Sequence, residues 1–118
     1  MRQVSKQIAE AFYEGKPKTI GNSHTDGNQV FLHGNRIAWK VDNDKLAITL
    51  AGWPTVTTRE RLNTILFEFG FNYYLQQVNH EQFLVNFEDK KTPLYDDQVK
   101  TFHRIGKRWL LRTNCGGM

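Results

Sequence analysis

The sequence predicts a single α+β domain, in which an antiparallel sheet made of a three-stranded meander and a second hairpin packs with two or three helices. Apolar residues recur at helical spacing near the N-terminus and after residue 57, alternate with period two between residues 29 and 50, and form short runs separated by turn pairs. The 118 residues, 39% of them hydrophobic and 24% charged, suffice for one core. We predict that the domain spans residues 1–112 and that 113–118 form a flexible tail.

The N-terminal segment predicts a short amphipathic helix that ends before a glycine and a proline. Its apolar stripe and its stop residues are Val4, Ile8, Ala11, Phe12, Gly15 and Pro17.

The meander follows, with turns predicted at residues 34–35 and 43–44. Side chains on one face of a sheet recur every second residue, so one apolar set is expected to face the core. That set comprises Val30, Leu32, Ile37, Trp39, Val41, Leu46, Ile48 and Leu50. A further strand within residues 18–24 is the weaker part of this pattern.

A second helix is predicted after Pro54. Thr57 or Thr58 offers a hydroxyl to cap its first turn, and Glu60, three residues after Thr57, completes a capping box. The buried stripe is predicted at Leu62, Ile65, Leu66 and Phe69, with Gly70 ending the helix. Two strands joined at Asn79-His80 should follow, with Phe83, Val85 and Phe87 on one face of the second strand, and then a charged turn at 88–92.

Residues 97–112 predict an amphipathic basic helix when they are placed on a helical wheel. Val99, Phe102, Ile105 and Trp109 fall on one side, and Lys100, Arg104, Lys107 and Arg108 fall on the other. Gly106 lowers helix stability by about 1 kcal/mol relative to alanine. A strand through residues 108–112 therefore remains the alternative.

The positive charge is concentrated at the C-terminus. The formal net charge is +4, yet five of the sixteen Lys and Arg residues and none of the twelve acids fall in residues 99–118. Residues 1–98 therefore sum to about −1. A basic block of this kind is typical of contact with phosphate or with an acidic protein surface.

Several classes of site are disfavoured by spacing. No two histidines stand at zinc-ligand spacing, no glycine-rich phosphate loop is present, and no apolar run is long enough for a membrane span. We therefore expect no metal, no cofactor, no membrane and no enzymatic activity. A single cysteine, Cys115, is compatible with a reducing cytoplasm. A small hydrolase around His24 or His33, with Ser23 and Asp26 beside His24, is the third-ranked hypothesis.

The outward face of the meander is the more informative pattern. Period-two counting places Phe31 and His33 beside Arg36, Ala38 and Lys40. Rings next to cations are the composition with which single-stranded nucleic-acid platforms stack bases and hold phosphates. Arg59 and Arg61 would add positive potential in the first turn of the second helix.

Two blocks, at residues 30–40 and 53–63, resemble a pattern in small uncharacterised proteins of tailed bacteriophages. The pattern combines a strand ending in His-Gly-Asn, an Ile-Ala pair, a Trp and a Thr-Thr-x-x-Arg-Leu-Asn helix start. The matching residues are His33, Gly34, Asn35, Ile37, Ala38, Trp53, Thr55, Thr57, Thr58, Arg61, Leu62 and Asn63. The resemblance implies a phage origin and brings no activity or ligand.

The leading hypothesis is a non-enzymatic phage accessory protein that binds nucleic acid, DNA or RNA, through a basic surface. Its predicted contacts are Phe31, Arg36, Lys40, Arg59, Arg61, Lys100, Arg104, Lys107 and Arg108. The alternative is a host-takeover or anti-defence inhibitor that binds a bacterial protein through exposed aromatic residues, with the cations steering association.

Overall fold

Two helices and ten strands follow the apolar patterns of the chain in the residues that the computed structural model describes, which are 2–86, 88–105 and 108–111. The elements are α1 (Arg2–Glu14), β1 (Lys18–Ile20), β2 (Ser23–Thr25), β3 (Gln29–Leu32), β4 (Asn35–Asp42), β5 (Lys45–Thr49), α2 (Val56–Glu68), β6 (Tyr73–Val78), β7 (Glu81–Asn86), β8 (Lys91–Pro93), β9 (Val99–Ile105) and β10 (Arg108–Leu111). The predicted α+β class is confirmed.

Seven strands form one antiparallel sheet in the order β1-β2-β3-β4-β5-β9-β10. The predicted meander is its centre, β3 to β5. The weak strand expected within residues 18–24 is two short strands, β1 and β2, which extend the sheet at one edge.

A second antiparallel sheet has the order β6-β7-β8. Its first two strands are the predicted hairpin, and Asn79 and His80 turn with φ of 51° and 67°, as a two-residue hairpin loop requires. Phe83 and Val85 share a face, while Leu84 pairs with Leu75 and enters the core. Phe87 lies outside the described residues. The short strand β8 was not predicted, because its residues read as part of a charged turn.

The prediction of a basic helix over residues 97–112 is wrong, and the strand alternative is correct. β9 pairs with β5 and β10 pairs back on β9, with Ile105 opposite Arg108. A helix here would leave the backbone groups of β5 unpaired at an edge, whereas β9 satisfies them. Phe102 lies opposite Leu46 and is fully buried. The predicted tail at 113–118 lies outside the described residues.

The alternation predicted for β4 is also wrong in its second half. Val30 pairs with Ala38 but Phe31 pairs with Arg36, so Ile37 is an extra residue, a β-bulge. Ile37 and Ala38 are consequently both buried. After the bulge, the odd-numbered residues of β4 lie on the side of the sheet away from the core. Trp39 is therefore only half-buried, and Val41 is 51% exposed.

One apolar cluster holds the two helices and both sheets together. Its buried members are Ile8, Ala9, Phe12, Val30, Leu32, Ile37, Ala38, Leu46, Ile48, Leu50, Leu62, Ile65, Leu66, Phe71, Leu75, Leu84, Leu94 and Phe102. The predicted stripe of α2 is confirmed at Leu62, Ile65 and Leu66, and Phe69 is the C-cap residue, packed on Phe12 at 5.4 Å between ring centroids. The side-chain amide of Asn63 donates to the carbonyl of Leu75 and accepts from its N–H, which fastens α2 to β6.

The cap of α2, predicted at Thr57 or Thr58, lies two or three residues earlier in the structure. Thr55 is the N-cap, and its hydroxyl accepts the backbone N–H of Thr58 at 3.2 Å. Glu60 makes no capping box; its carboxylate contacts Ser5 and Arg61 instead.

Thr55→Ala is expected to lower the free energy of unfolding by about 1 kcal/mol, because the N–H of Thr58 loses its acceptor. Thr57→Ala is the matched control, with an expected change within about 0.5 kcal/mol. Urea unfolding of the two variants checks this. A larger loss for Thr57→Ala than for Thr55→Ala would contradict the observed cap.

Candidate nucleic-acid interface

The seven-stranded sheet has one face toward the helices and one, here called the outer face, away from them. Val30, Ala38 and Ile48 are cross-strand partners that enter the shared core. Alternate residues on the same strands point the opposite way. The outer face therefore carries Phe31 and, beyond the bulge, Trp39.

Strand register arranges the outer face in two rows. One row runs Thr19, His24, Phe31, Arg36 across β1 to β4. The other runs Gln29, Trp39, Ala47, Thr101 across β3, β4, β5 and β9. Directly opposed side chains lie about 5 Å apart at Cβ, so each row is a continuous surface.

Rings and a cation meet within these rows. The His24 and Phe31 rings lie 5.8 Å apart at 33° to each other, and the Arg36 guanidinium carbon lies 3.8 Å from the centroid of Trp39. Arg36 also donates to the side-chain oxygen of Gln29 at 3.2 Å. The geometry is that of a cation–π pair next to a pair of tilted rings. Such a surface can stack flat rings and hold phosphate beside them.

Phe31 and Arg36 are therefore brought together as predicted, and Trp39 joins them where Lys40 and Ala38 were expected. The bulge at Ile37 makes this exchange, because it shifts the alternation of β4 by one residue. His33 lies in the β3–β4 turn with φ of 54°, its Nε2 3.2 Å from the Asn22 amide nitrogen. It is next to the outer face, not within it.

Lys40 does not lie on the outer face, where the sequence predicted it. It lies opposite Leu46 on the helix side of the sheet, and its ammonium donates to the carbonyls of Phe12, at 2.7 Å, and Gly27, at 3.1 Å. Burial lowers the pKa of Lys40 from its ordinary value. Lys40 is therefore held away from anything bound on the outer face.

Arg61 does not belong to the predicted basic surface either, because only 5% of the residue is exposed. Its Nε donates to Ser23 Oγ at 2.9 Å, and its Nη1 donates to Ser5 Oγ and, at 3.0 Å, to Glu60. The guanidinium therefore joins α1, α2 and β2 from inside the fold. Phosphate bound at the surface cannot reach these engaged nitrogens.

Arg59 is half-buried at the start of α2. Its Nη1 donates to the side-chain oxygens of Gln77, at 2.9 Å, and Gln82, at 3.0 Å. In the described part of the chain no carboxylate pairs with it. Arg59 therefore lies beside the second sheet, apart from the outer face.

Of the predicted C-terminal cations, the structure describes the side chains of Lys100 and Arg104. Lys100 is half-buried opposite Ile48, on the helix side of β9. Arg104 pairs with the carboxylate of Asp44 at 3.2 Å. Lys107 lies outside the described residues, and so does the side chain of Arg108, whose backbone begins β10.

The structure separates the three residues that the sequence suggested for a hydrolase around His24. Ser23 lies on the helix side of β2, buried against Arg61, while His24 lies on the outer face with its Nδ1 2.6 Å from the hydroxyl of Thr19. Asp26 is occupied with loop amides: the backbone N–H of Asn28, and then the side chain of Gln29, lower the pKa of its carboxyl. The nucleophile, base and orienting acid therefore do not converge.

Among the described residues, the structure shows neither a candidate metal site nor a helix that could span a membrane. In residues 2–86, 88–105 and 108–111, no group of three or more His, Cys, Asp or Glu side chains is arranged to hold a metal ion. Neither α1 nor α2 has the length and apolar character of a membrane span.

Comparison with known proteins identifies a family. No curated protein and no solved structure is significantly similar to the chain. The family model described as "Kyanoviridae Gp96 protein" matches residues 1–105. This confirms the predicted phage resemblance. Since the match spans most of the sequence, the chain belongs to the Kyanoviridae Gp96 protein family, a family of cyanophage proteins.

Proposed function

We propose that this phage protein is a non-enzymatic binding protein that holds single-stranded nucleic acid on the outer face of its seven-stranded sheet, in the cytoplasm of the host bacterium. The observation that carries the proposal is the Arg36–Trp39 cation–π pair beside the Phe31–His24 ring pair on one sheet face. Bases stack on such rings with little regard to sequence, and cations between the rings attract the backbone.

Charge supports an anionic partner. The formal net charge is +4 and the sequence pI is about 9.3. In the described part of the chain, the partners recorded for Arg36 are an amide oxygen and a ring, and no carboxylate neutralises it. A phosphate would be its first full counter-charge.

Binding of a fluorescently labelled single-stranded oligonucleotide at low salt tests the proposal. Phe31→Ala and Arg36→Ala are each expected to weaken binding about tenfold, because a base–aromatic stack or a charge-assisted contact contributes about 1–3 kcal/mol. Trp39→Phe should retain most of the affinity, since a ring remains. Arg36→Ala should also lower the slope of log affinity against log salt by about one.

Matched controls come from exposed residues elsewhere. Tyr95→Ala and Lys91→Ala remove an exposed ring and an exposed cation away from the outer face, and both should bind as the unmodified protein does. The proposal is wrong if the unmodified protein does not bind oligonucleotides at low salt, or if the outer-face variants match these controls.

A second candidate function is inhibition of a host protein, as in host takeover or anti-defence. It is favoured by the exposed apolar residues Val56 and Phe67 of α2, which are 68% and 80% exposed and lie eleven residues apart, on one side of the helix. They line a groove with Lys6 and Asn63. Capture of one stoichiometric host protein from nuclease-treated lysate, lost in Phe67→Ala but kept in Phe31→Ala, would favour this function over nucleic-acid binding.

A further inference from the structure

A cavity of about 740 Å³ lies on the helix side of the large sheet, where the β4–β5 hairpin meets the ends of both helices. Its walls include Tyr13, Lys40, Asp42, Lys45, Phe69 and Arg104. Pockets for small ligands commonly have volumes of about 300–1,000 Å³, so a molecule of nucleotide size fits this one.

The charged residues in the wall are three cations and one carboxylate. Lys45 and Asp42 form an ion pair at 3.4 Å. The hydrogen bond from the backbone N–H of Asp44 and the nearby charge of Lys45 lower the pKa of the Asp42 carboxyl. Arg104 contacts Asp44 across the rim at 3.2 Å. Both ion pairs are partly exposed, so a multivalent anion can compete for their cations.

Lys40 is the unusual member of this wall. Two of its three N–H groups donate to the carbonyls of Phe12 and Gly27, and within the described residues no carboxylate pairs with it. Its charge is therefore partly desolvated and without a counter-ion. An anion in the cavity could accept the third N–H and supply the missing charge.

The cavity also has an aromatic wall. Tyr13 packs edge-to-face on Phe69, with centroids 5.0 Å apart at 88°. Tyr13 is nevertheless 55% exposed, so much of its side chain is accessible to a flat ligand. Asn28 and Asn43 add amide donors and acceptors of the kind that read the edge of a base.

We propose that this cavity binds a 5′-mononucleotide, with the phosphate near Lys40, Lys45 and Arg104 and the base against Tyr13. The site is separate from the outer face, because Lys40 and Leu46 line it from the opposite side of the sheet. It therefore does not depend on the proposed binding of single strands.

Calorimetric titration with AMP, CMP, GMP and UMP, the matching nucleosides and inorganic phosphate tests the proposal. At least one mononucleotide should bind saturably with one site per chain. The matching nucleoside should bind at least about tenfold more weakly, because it lacks the charge-assisted contacts. Equal affinity for nucleotide and nucleoside, or no saturable binding at millimolar nucleotide, would overturn the proposal.

Variants assign the binding to the cavity. Lys45→Gln and Tyr13→Ala change partly exposed side chains and should each weaken the mononucleotide about tenfold with little loss of fold. Lys40→Met removes the central cation. Because Lys40 also donates to two backbone carbonyls, circular dichroism should check that this variant keeps its fold. Phe31→Ala and Arg36→Ala should leave mononucleotide affinity unchanged. Unchanged affinity in both Lys45→Gln and Tyr13→Ala, or a loss that tracks Arg36→Ala, would refute the assignment.

Discussion

Replacement of Arg61 by alanine is expected to lower the free energy of unfolding by about 3 to 5 kcal/mol, which makes it one of the most damaging single changes in this protein. Arg61 is 5% exposed, and its guanidinium joins Ser5, Ser23 and Glu60, which lie on three different elements. Alanine would leave the buried hydroxyls of Ser5 and Ser23 without the Arg61 donor and would remove the cation that pairs with the partly buried carboxylate of Glu60. Each of these losses leaves a desolvation penalty uncompensated. Chemical denaturation measures the loss.

Arg59→Ala is the matched control, because Arg59 occupies the same turn of α2 but is half-buried and contacts two glutamine amides. Its expected cost is about 1 kcal/mol, the scale of a neutral hydrogen bond. The opposite pattern, in which Arg61→Ala keeps full stability but loses oligonucleotide binding, would restore Arg61 to the surface role predicted from the sequence.

Replacement of Gly27 by alanine is expected to cost about 3 kcal/mol, from backbone strain and overpacking together. Gly27 lies in the loop between β2 and β3 with φ of +96°, and an added Cβ would stand 2.5 Å from the carbonyl oxygen of Gly15. Both groups are backbone, so neither can move aside alone. The same shift would disturb the carbonyl that accepts from Lys40.

Gly21→Ala separates the cost of backbone strain from the cost of overpacking. Gly21 also has a positive φ, +59°, but nothing lies within 4 Å of an added Cβ. Only the conformational strain applies there, so the expected cost is about 1 kcal/mol. Urea unfolding of the two variants compares them, and equal losses would show that the approach of Gly27 to Gly15 does not constrain the fold.

Local periodicity was enough to predict the central elements. The apolar periodicity of α1, α2 and the strands β3 to β5 can be recognised within each segment alone. The ends of the two helices are marked in the sequence by Gly15 and Gly70. The Asn79-His80 turn was equally readable, since its residues tolerate the left-handed conformation that the hairpin needs.

The errors arose where pairing between distant segments decides the structure. Residues 99–105 fit a helical wheel, but they pair as β9 with the edge of β5, which lies about fifty residues earlier in the chain. The bulge at Ile37 depends on the register of β3 against β4, which no local pattern encodes. Trp39 was consequently assigned to the core, although it lies on the outer face.

Part of the site could have been predicted better from helical geometry alone. Arg61 stands four residues before Ile65, within the same stripe, so its burial followed from spacing already used for Leu62 and Leu66. The pairing of Arg104 with Asp44 needed the tertiary contact between β9 and the β4–β5 turn. Phe31 and Arg36 were correctly paired because they lie within one hairpin.

Whether nucleic acid lies on the outer face can be measured directly by NMR of the isotopically labelled protein with a short single-stranded oligonucleotide. We predict intermolecular NOEs from the rings of Phe31 and Trp39 to base protons, with the largest amide shifts in β2, β3 and β4. NOEs or shifts confined to the exposed side of α2, with the Phe31 and Trp39 signals unmoved at saturation, would contradict the account.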